Sequence, residues 1–414
     1  FLLVFIILLS LSPIHAQITS DTLNLEWEAS VNYGNSGQTT VLVDDTLWHF
    51  GGVFAYGLPF DVGNWDYSYV EYMSLADNYW EVDTLKTLYR MHGNTETYNG
   101  YIYLFGGYGA VPEAVEVYHP ASKSLFRASD LPNPRRYGGS ALYEGKIYLV
   151  GGANTDGYSN LVDIYDIATD SWTMGASFPI ASQTDVVVKD GIIYALGGYG
   201  GAVYDEIFMY DIASDSWSQA GVMPEATSAH TLAIYDNFIY VLGDYADLER
   251  IMRYNISDGS WVNYESNMIG RRHASATIAN DKLYYVSGNA SRSNGTYQRF
   301  RIVQSIDLSD VVSVSEPHPA TPATLSLKQN FPNPFNPSTS IQFSLSEQSN
   351  AEITIYNIMG QTVRELSNRR FLPGEHKVIW DGRNDQGQKL ASGQYFYSVK
   401  SNSGISTRKM VMLR

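Results

Sequence analysis

KIYLVGGANTDGYSNLVDIYDIATDSW, from Lys146 to Trp172, is the stretch that decides the fold. An apolar strand stops on a diglycine, a polar loop follows, and a second apolar strand carrying Tyr165 turns at Ala168 to Asp170 and reaches Trp172. Glycine supplies the positive φ that ends a strand sharply, and β-branched and aromatic side chains suit a pleated surface. One such antiparallel unit cannot bury both of its faces, so its meaning depends on recurrence.

It recurs six times. The pair after each such strand is Gly51-Gly52, Gly106-Gly107, Gly151-Gly152, Gly197-Gly198, Gly243-Asp244 and Ser287-Gly288, at spacings of 55, 45, 46, 46 and 44 residues. Tyr165/Trp172, Tyr210/Trp217 and Tyr254/Trp261 keep one interval; the first repeat has Met73/Trp80, and the second has Tyr118 before Leu125-Phe126 with no Trp. This pattern of diglycine, Tyr and Trp resembles the kelch repeat, a four-stranded propeller blade, over roughly Trp27 to Leu308. The resemblance implies an all-β, six-bladed propeller. Its ends are complementary: Trp27 in LEWEAS is a Trp-strand with no repeat before it, and the last repeat stops at Ser305 to Leu308 without a Trp. The N-terminal strand is therefore expected to complete the last blade, leaving no open edge.

The flanks differ. FLLVFIILLSLSPIHA, residues 1–16, reads as a signal-peptide core whose true start is missing, too short for a bilayer span. Residues 17–314 are assigned to the propeller, the Pro-rich residues 315–326 to a linker, and residues 327–414 to a second domain of alternating strands. In that domain FPNPFNPS, ITIYNIMGQTV, GEHKVIWDGRNDQGQKLASGQYFYSV and the terminal KMVML together resemble the C-terminal sorting domain of bacterial type IX secretion, an immunoglobulin-like sandwich. The resemblance implies export, engagement of that machinery through residues 327–414, and release from or display on a Gram-negative cell, with no transmembrane segment in the mature chain. An ordinary structural sandwich of the related flagellar-hook-cap type is the alternative.

Charge narrows the partners. Net charge is −16, yet Leu327 to Arg414 holds 11 Lys/Arg against 6 Asp/Glu, so the remainder holds 16 against 37. An acidic body of −21 is unsuited to nucleic acid, whose binding needs cations that release counterions. Cysteine is absent; this removes disulfides, thiolate nucleophiles and Cys-ligated metals. It also removes the Tyr–Cys cross-link of the copper site in galactose oxidase, a kelch enzyme. No HxH or HExxH pair occurs, so neither metal nor cofactor is expected.

One constellation points to a ligand. Sixteen residues before the first member of each diglycine-equivalent pair stand Asn35, Arg90, Arg135, Ala181, Thr227 and Arg271, where the innermost strands begin at one channel mouth. Arg136 and Arg272 follow directly, with His92, Tyr137, Gln183 and His273 two positions on. In kelch propellers that capture acidic peptides, arginines at this position line the pocket, and Arg90, Arg135 and Arg271 match it. The loops on the same face bring Tyr56 and Trp65, both in the long first insert, together with Tyr108, Tyr158, Tyr199 and Tyr245. Guanidinium groups among aromatic rings suit an anionic glycan or an acidic peptide or protein. The competing reading has the arginines bonding loop carbonyls and the tyrosines packing between blades. A binding module without catalytic residues is the leading expectation. An enzyme resembling the sialic acid mutarotases, with Glu96 or His92 moving the proton, is the alternative.

Overall fold

A computed structural model describes residues 18–32, 36–52, 67–291, 297–309, 325–345, 349–371, 374–401 and 404–413. The signal-peptide segment, Tyr56, Trp65 and most of the linker fall outside these residues. Among the described residues no helix is long and apolar enough to cross a membrane.

Residues 18–309 form a six-bladed propeller. Blades one to five run through consecutive antiparallel strands; in the third these are Gly139–Tyr143, Lys146–Val150, Val162–Asp166 and Ser171–Met174. Turns between the first two strands carry residues such as Asn99-Gly100 and Asp190-Gly191, both at positive φ. That is the hairpin chemistry whose twist matches the strands.

The diglycines join blades. A Cβ on Gly106 would lie 2.4 Å from the Arg135 carbonyl oxygen, and one on Gly51 2.5 Å from that of Arg90. The second glycine uses the space: Gly107 N–H donates to Arg135 O and Gly52 N–H to Arg90 O, both at 2.9 Å. Each pair therefore lets the next blade's backbone approach to bonding distance. Tryptophans bridge the outer wedges. Trp172 Nε1 donates to Ser129 O (3.0 Å) and Trp217 Nε1 to Ala176 O (2.9 Å), in each case just past the preceding blade's last strand.

Closure follows the expected route. Glu26–Trp27 pairs antiparallel with Val303–Asp307, setting Trp27 opposite Gln304. Trp80 Nε1 then donates to Ala29 O at 2.9 Å, so the N-terminal segment takes the place that Ser129 and Ala176 hold elsewhere. The structure adds a strand that the repeat pattern does not contain. Ile18–Leu23 runs parallel to Trp261–Ser266 and widens the fifth blade to five strands. Leu23 and Leu25 are buried in the cluster between blades five and six, and Asn267 exchanges two hydrogen bonds with the Leu25 backbone.

The C-terminal domain is a sandwich of a three-stranded sheet on a four-stranded one. Its first strand, Leu325–Leu327, pairs with Thr339–Leu345. Its core is built from alternate residues such as Ile341, Ile353, Ile355, Trp380, Tyr397 and Val399.

Candidate ligand-binding mouth

The arginines at the inner-strand starts turn into their own blades. Arg90 is 4% exposed and donates to the carbonyls of Gly106 (3.0 Å) and Ala114 (3.2 Å) and to the Glu116 carboxylate (2.7 Å). Arg135 donates to the carbonyls of Asn133 (2.9 Å) and Leu149 (2.7 Å) and pairs with Asp163. Arg271, with no exposed surface, bonds Ile269 O, Gln304 Oε1 and Tyr285 O, and its guanidinium lies 4.0 Å over the Tyr285 ring. The expectation that these three line the mouth is corrected on geometry: the terminal nitrogens of each guanidinium are bonded to carbonyls and a third-strand polar group inside one blade.

That third-strand group explains the pattern. Glu116, Asp163 and Gln304 pair with Leu104, Leu149 and Tyr285, each two residues before the diglycine-equivalent pair. In the blades that start with Ala181 and Thr227 the same register holds Phe208 and Met252. In these five blades the arginine and its acceptor occur together, because a buried cation without an acceptor is costly. The first blade keeps a buried acceptor, Glu71, opposite His49, and Asn32 N–H donates to it instead.

The next residues differ from one another in exposure. Arg136 is half-buried, lies 5.3 Å over Tyr108 and 5.7 Å over Tyr137, and has no carboxylate partner among the described residues. Arg272 is buried, 3% exposed, with its guanidinium 3.8 Å from the Tyr245 ring and a hydrogen bond to Ser291 Oγ at 3.0 Å. His92, Tyr137 and His273 cluster at the top of the channel, with His92 4.0 Å from Tyr137 and 4.8 Å from His273 between ring centroids. The His92 imidazole also occupies the space where a Cβ on Gly37 would be.

This cap is held by the backbone. His92, Tyr137, Ala229 and His273 adopt φ of 58°, 60°, 56° and 50°, a conformation costing about 1 kcal/mol or more per non-glycine residue. It lets peptide groups of successive blades join: Gly37 N–H donates to His273 O, His92 N–H to Gly37 O, Tyr137 N–H to His92 O and His273 N–H to Ala229 O. Gln183 departs from the pattern. It starts an inner strand with a bulge, and Thr184 N–H makes the corresponding bond to Tyr137 O.

Beneath the cap the channel holds a cavity of about 320 Å³, lined by His92, Tyr137, Gln183 and His273 and, deeper, by Glu96, Asp185, His230 and a belt of Thr and Ser. Burial pushes Glu96 up to about 7; the Ser140 hydroxyl, donating at 2.6 Å, opposes this and Asp185 adds to it. Burial likewise lifts Asp185 to about 6 against donation from Leu232 N–H. The imidazoles shift the other way. Burial and nearby cations hold His92 well below its ordinary range and bring His273 to about 4, so both are neutral rings at neutral pH. The channel is thus a neutral-to-acidic chamber, with the half-buried Arg136 stacked on Tyr137 beside it. Asp185, absent from the sequence-based site, is recognisable only once the channel is assembled.

Residues 37–244 match the KLHDC2/KLHL20/DRC7 Kelch-repeats domain, half of the chain. The chain belongs to the kelch-repeat family. Residues 334–404 of this kelch protein match the FlgD Ig-like domain. Among curated relatives, Spermatocyte protein spe-26 of Caenorhabditis elegans is 25% identical over 244 residues, covering 55% of this chain and 43% of the relative. Alpha-scruin of Limulus polyphemus is 25% identical over 219 residues, covering 49% and 24%. Kelch-like protein 41a of Danio rerio is 29% identical over 123 residues, covering 28% and 20%. The matched stretch is less than half the length of each of these relatives.

Proposed function

We propose that the propeller is a binding module that takes an anionic glycan or an acidic peptide across the rim of this mouth, on a protein exported and sorted by its C-terminal domain. The observation that carries the binding reading is an arc of exposed tyrosines on four successive blades: Tyr108, Tyr158, Tyr199 and Tyr245, from 37% to 58% exposed. Tyr158 and Tyr199 meet edge to face at 5.7 Å, and cationic Arg136 and Arg272 lie under the two ends of the arc. Flat rings with hydroxyl tips stack on sugar faces or peptide side chains at low entropy cost, and Arg136 supplies the charged contact. The acidic chamber below keeps an anionic group at the rim.

Arg136→Ala carries the test. On a panel of acidic and neutral glycans and peptides, the wild type is expected to retain acidic members, more weakly in added salt. Loss of the guanidinium should weaken that binding by about 1.5–3 kcal/mol, the range for hydrogen bonds to charged groups. A panel on which acidic and neutral members bind alike would end this reading. A mutarotase-like enzyme is the second reading, favoured by Glu96 titrating near neutrality beside the cavity. It also requires a free guanidinium next to that carboxylate, and Arg90, Arg135 and Arg271 are spent inside the blades.

The sorting reading rests on the four motifs of the last domain together with its immunoglobulin-like fold. Fused behind a signal peptide and a fluorescent passenger, residues 327–414 are expected to bring the passenger to the surface of a type IX-competent bacterium. A passenger that stays periplasmic leaves the domain as an ordinary structural sandwich.

A further inference from the structure

The C-terminal sandwich has an apolar row where a free domain would face water. In its four-stranded sheet Ile353, Ile355, Tyr397 and Val399 enter the core, so the intervening Tyr356 and Phe396 point outward. These two are cross-strand partners, and Lys409, opposite Phe396, extends the row. Yet Phe396 is 1% exposed. Its cover is the propeller's seam. Trp27 stacks on Tyr356 at 5.6 Å with the rings 14° from parallel, and meets Phe396 edge-on at 5.7 Å. Ile269, Phe300 and Ile302 complete the cluster. Gly360 approaches so closely that a Cβ there would lie 3.1 Å from the Trp27 ring. Lys409 Nζ reaches both carboxylate oxygens of Glu249 in the fifth blade within 2.6 Å.

This surface has an unusual origin. Trp27 comes from the first strands of the chain, Phe300 and Ile302 from the last blade, and they become neighbours only when Glu26–Trp27 has paired with Val303–Asp307. The closing strand is two residues long, and only single backbone bonds, Glu28 N–H to Val303 O and Val31 N–H to Arg301 O, carry it further along the last blade. We propose that the C-terminal domain is the latch of the ring: it recognises the closed seam, and its docking holds the short closing strand in place. A group that binds only the closed form stabilises that form, and the coupling is reciprocal. The inference concerns the seam, on the side of the ring perimeter, and does not depend on the ligand read at the mouth.

Hydrogen exchange of the full chain, read by mass spectrometry, tests it. Phe396→Ser removes the central contact without touching the sandwich core. Protection across residues 24–31 and 303–307 is expected to fall about tenfold or more, while strands of blades two to four keep theirs, as expected for a local opening. If the sandwich core loses protection as well, Lys409→Glu, which sets an anion against Glu249, replaces it as the deciding variant. It should loosen the same two segments by about threefold, a smaller local opening. Closing-strand exchange that stays at the wild-type rate, in a variant whose scattering curve shows the domain detached, overturns the latch.

Discussion

A chain lacking residues 18–30 is expected to lose the cooperative melt of its propeller. The deletion removes Leu23 and Leu25 from the core between blades five and six, Trp27 from the seam, and the Ala29 carbonyl that receives Trp80 Nε1. Burying each large apolar side chain contributes about 1.5–3 kcal/mol. Three of them account for most of the roughly 5–15 kcal/mol that holds a typical domain folded. The deletion also bares the edges of Val303–Asp307 and Trp261–Ser266, which then offer unpaired peptide groups to other chains. Calorimetry should find either no folded monomer or a melting temperature lower by about 15 °C or more. A truncated chain that melts like the full one would mean that the ring is closed by something else.

Arg135→Ala should be nearly as damaging, although only one side chain changes. Asp163 has no exposed surface, and without Arg135 its carboxylate keeps, among the described residues, the Asn133 side-chain amide as its one side-chain partner. The Leu149 carbonyl loses its donor at the same time. Removing one partner of a buried pair costs about 3–5 kcal/mol because the other is left charged and dry. The melting temperature is expected to fall by about 10 °C. Replacing both members, as Arg135→Met with Asp163→Leu, should recover most of it, since a buried ion pair is worth little more than an apolar pair of similar volume. Failure of the double variant to recover would assign the loss to the carbonyl bonds and not to the ion pair.

The architecture was readable because its signals are local. Each diglycine marks a peptide-to-peptide bond between blades, each repeat tryptophan marks a wedge, and the complementary ends left one way to close. The direction of the arginines was hidden because it depends on a third-strand partner 26, 28 or 33 residues away, a distance that the loop lengths change. Aligned by register, the pairs Arg90/Glu116, Arg135/Asp163 and Arg271/Gln304 against Ala181/Phe208 and Thr227/Met252 point to it, with Glu71 opposite His49 in the first blade as the exception. Ile18–Leu23 belongs to no repeat, so no periodicity announced its parallel pairing. The latch was invisible for a different reason: Tyr356 and Phe396 look like ordinary strand aromatics until Trp27 is placed against them. At the mouth, the sequence did not show that Arg135 turns into its blade while its neighbour Arg136 stays half-exposed.

That division of labour between neighbours gives the most direct test of the account. Ligand-induced thermal shift of Arg135→Ala and Arg136→Ala, with an acidic ligand drawn from the panel, reads stability and binding in one curve. Arg136→Ala should melt with the wild type when unliganded and gain little or nothing from the ligand. Arg135→Ala should melt about 10 °C early and still be raised by the ligand, because its contribution is to the blade. The opposite assignment, with Arg136→Ala shifted as far as the wild type and Arg135→Ala melting normally but blind to the ligand, would return the site to the buried arginines and contradict the account.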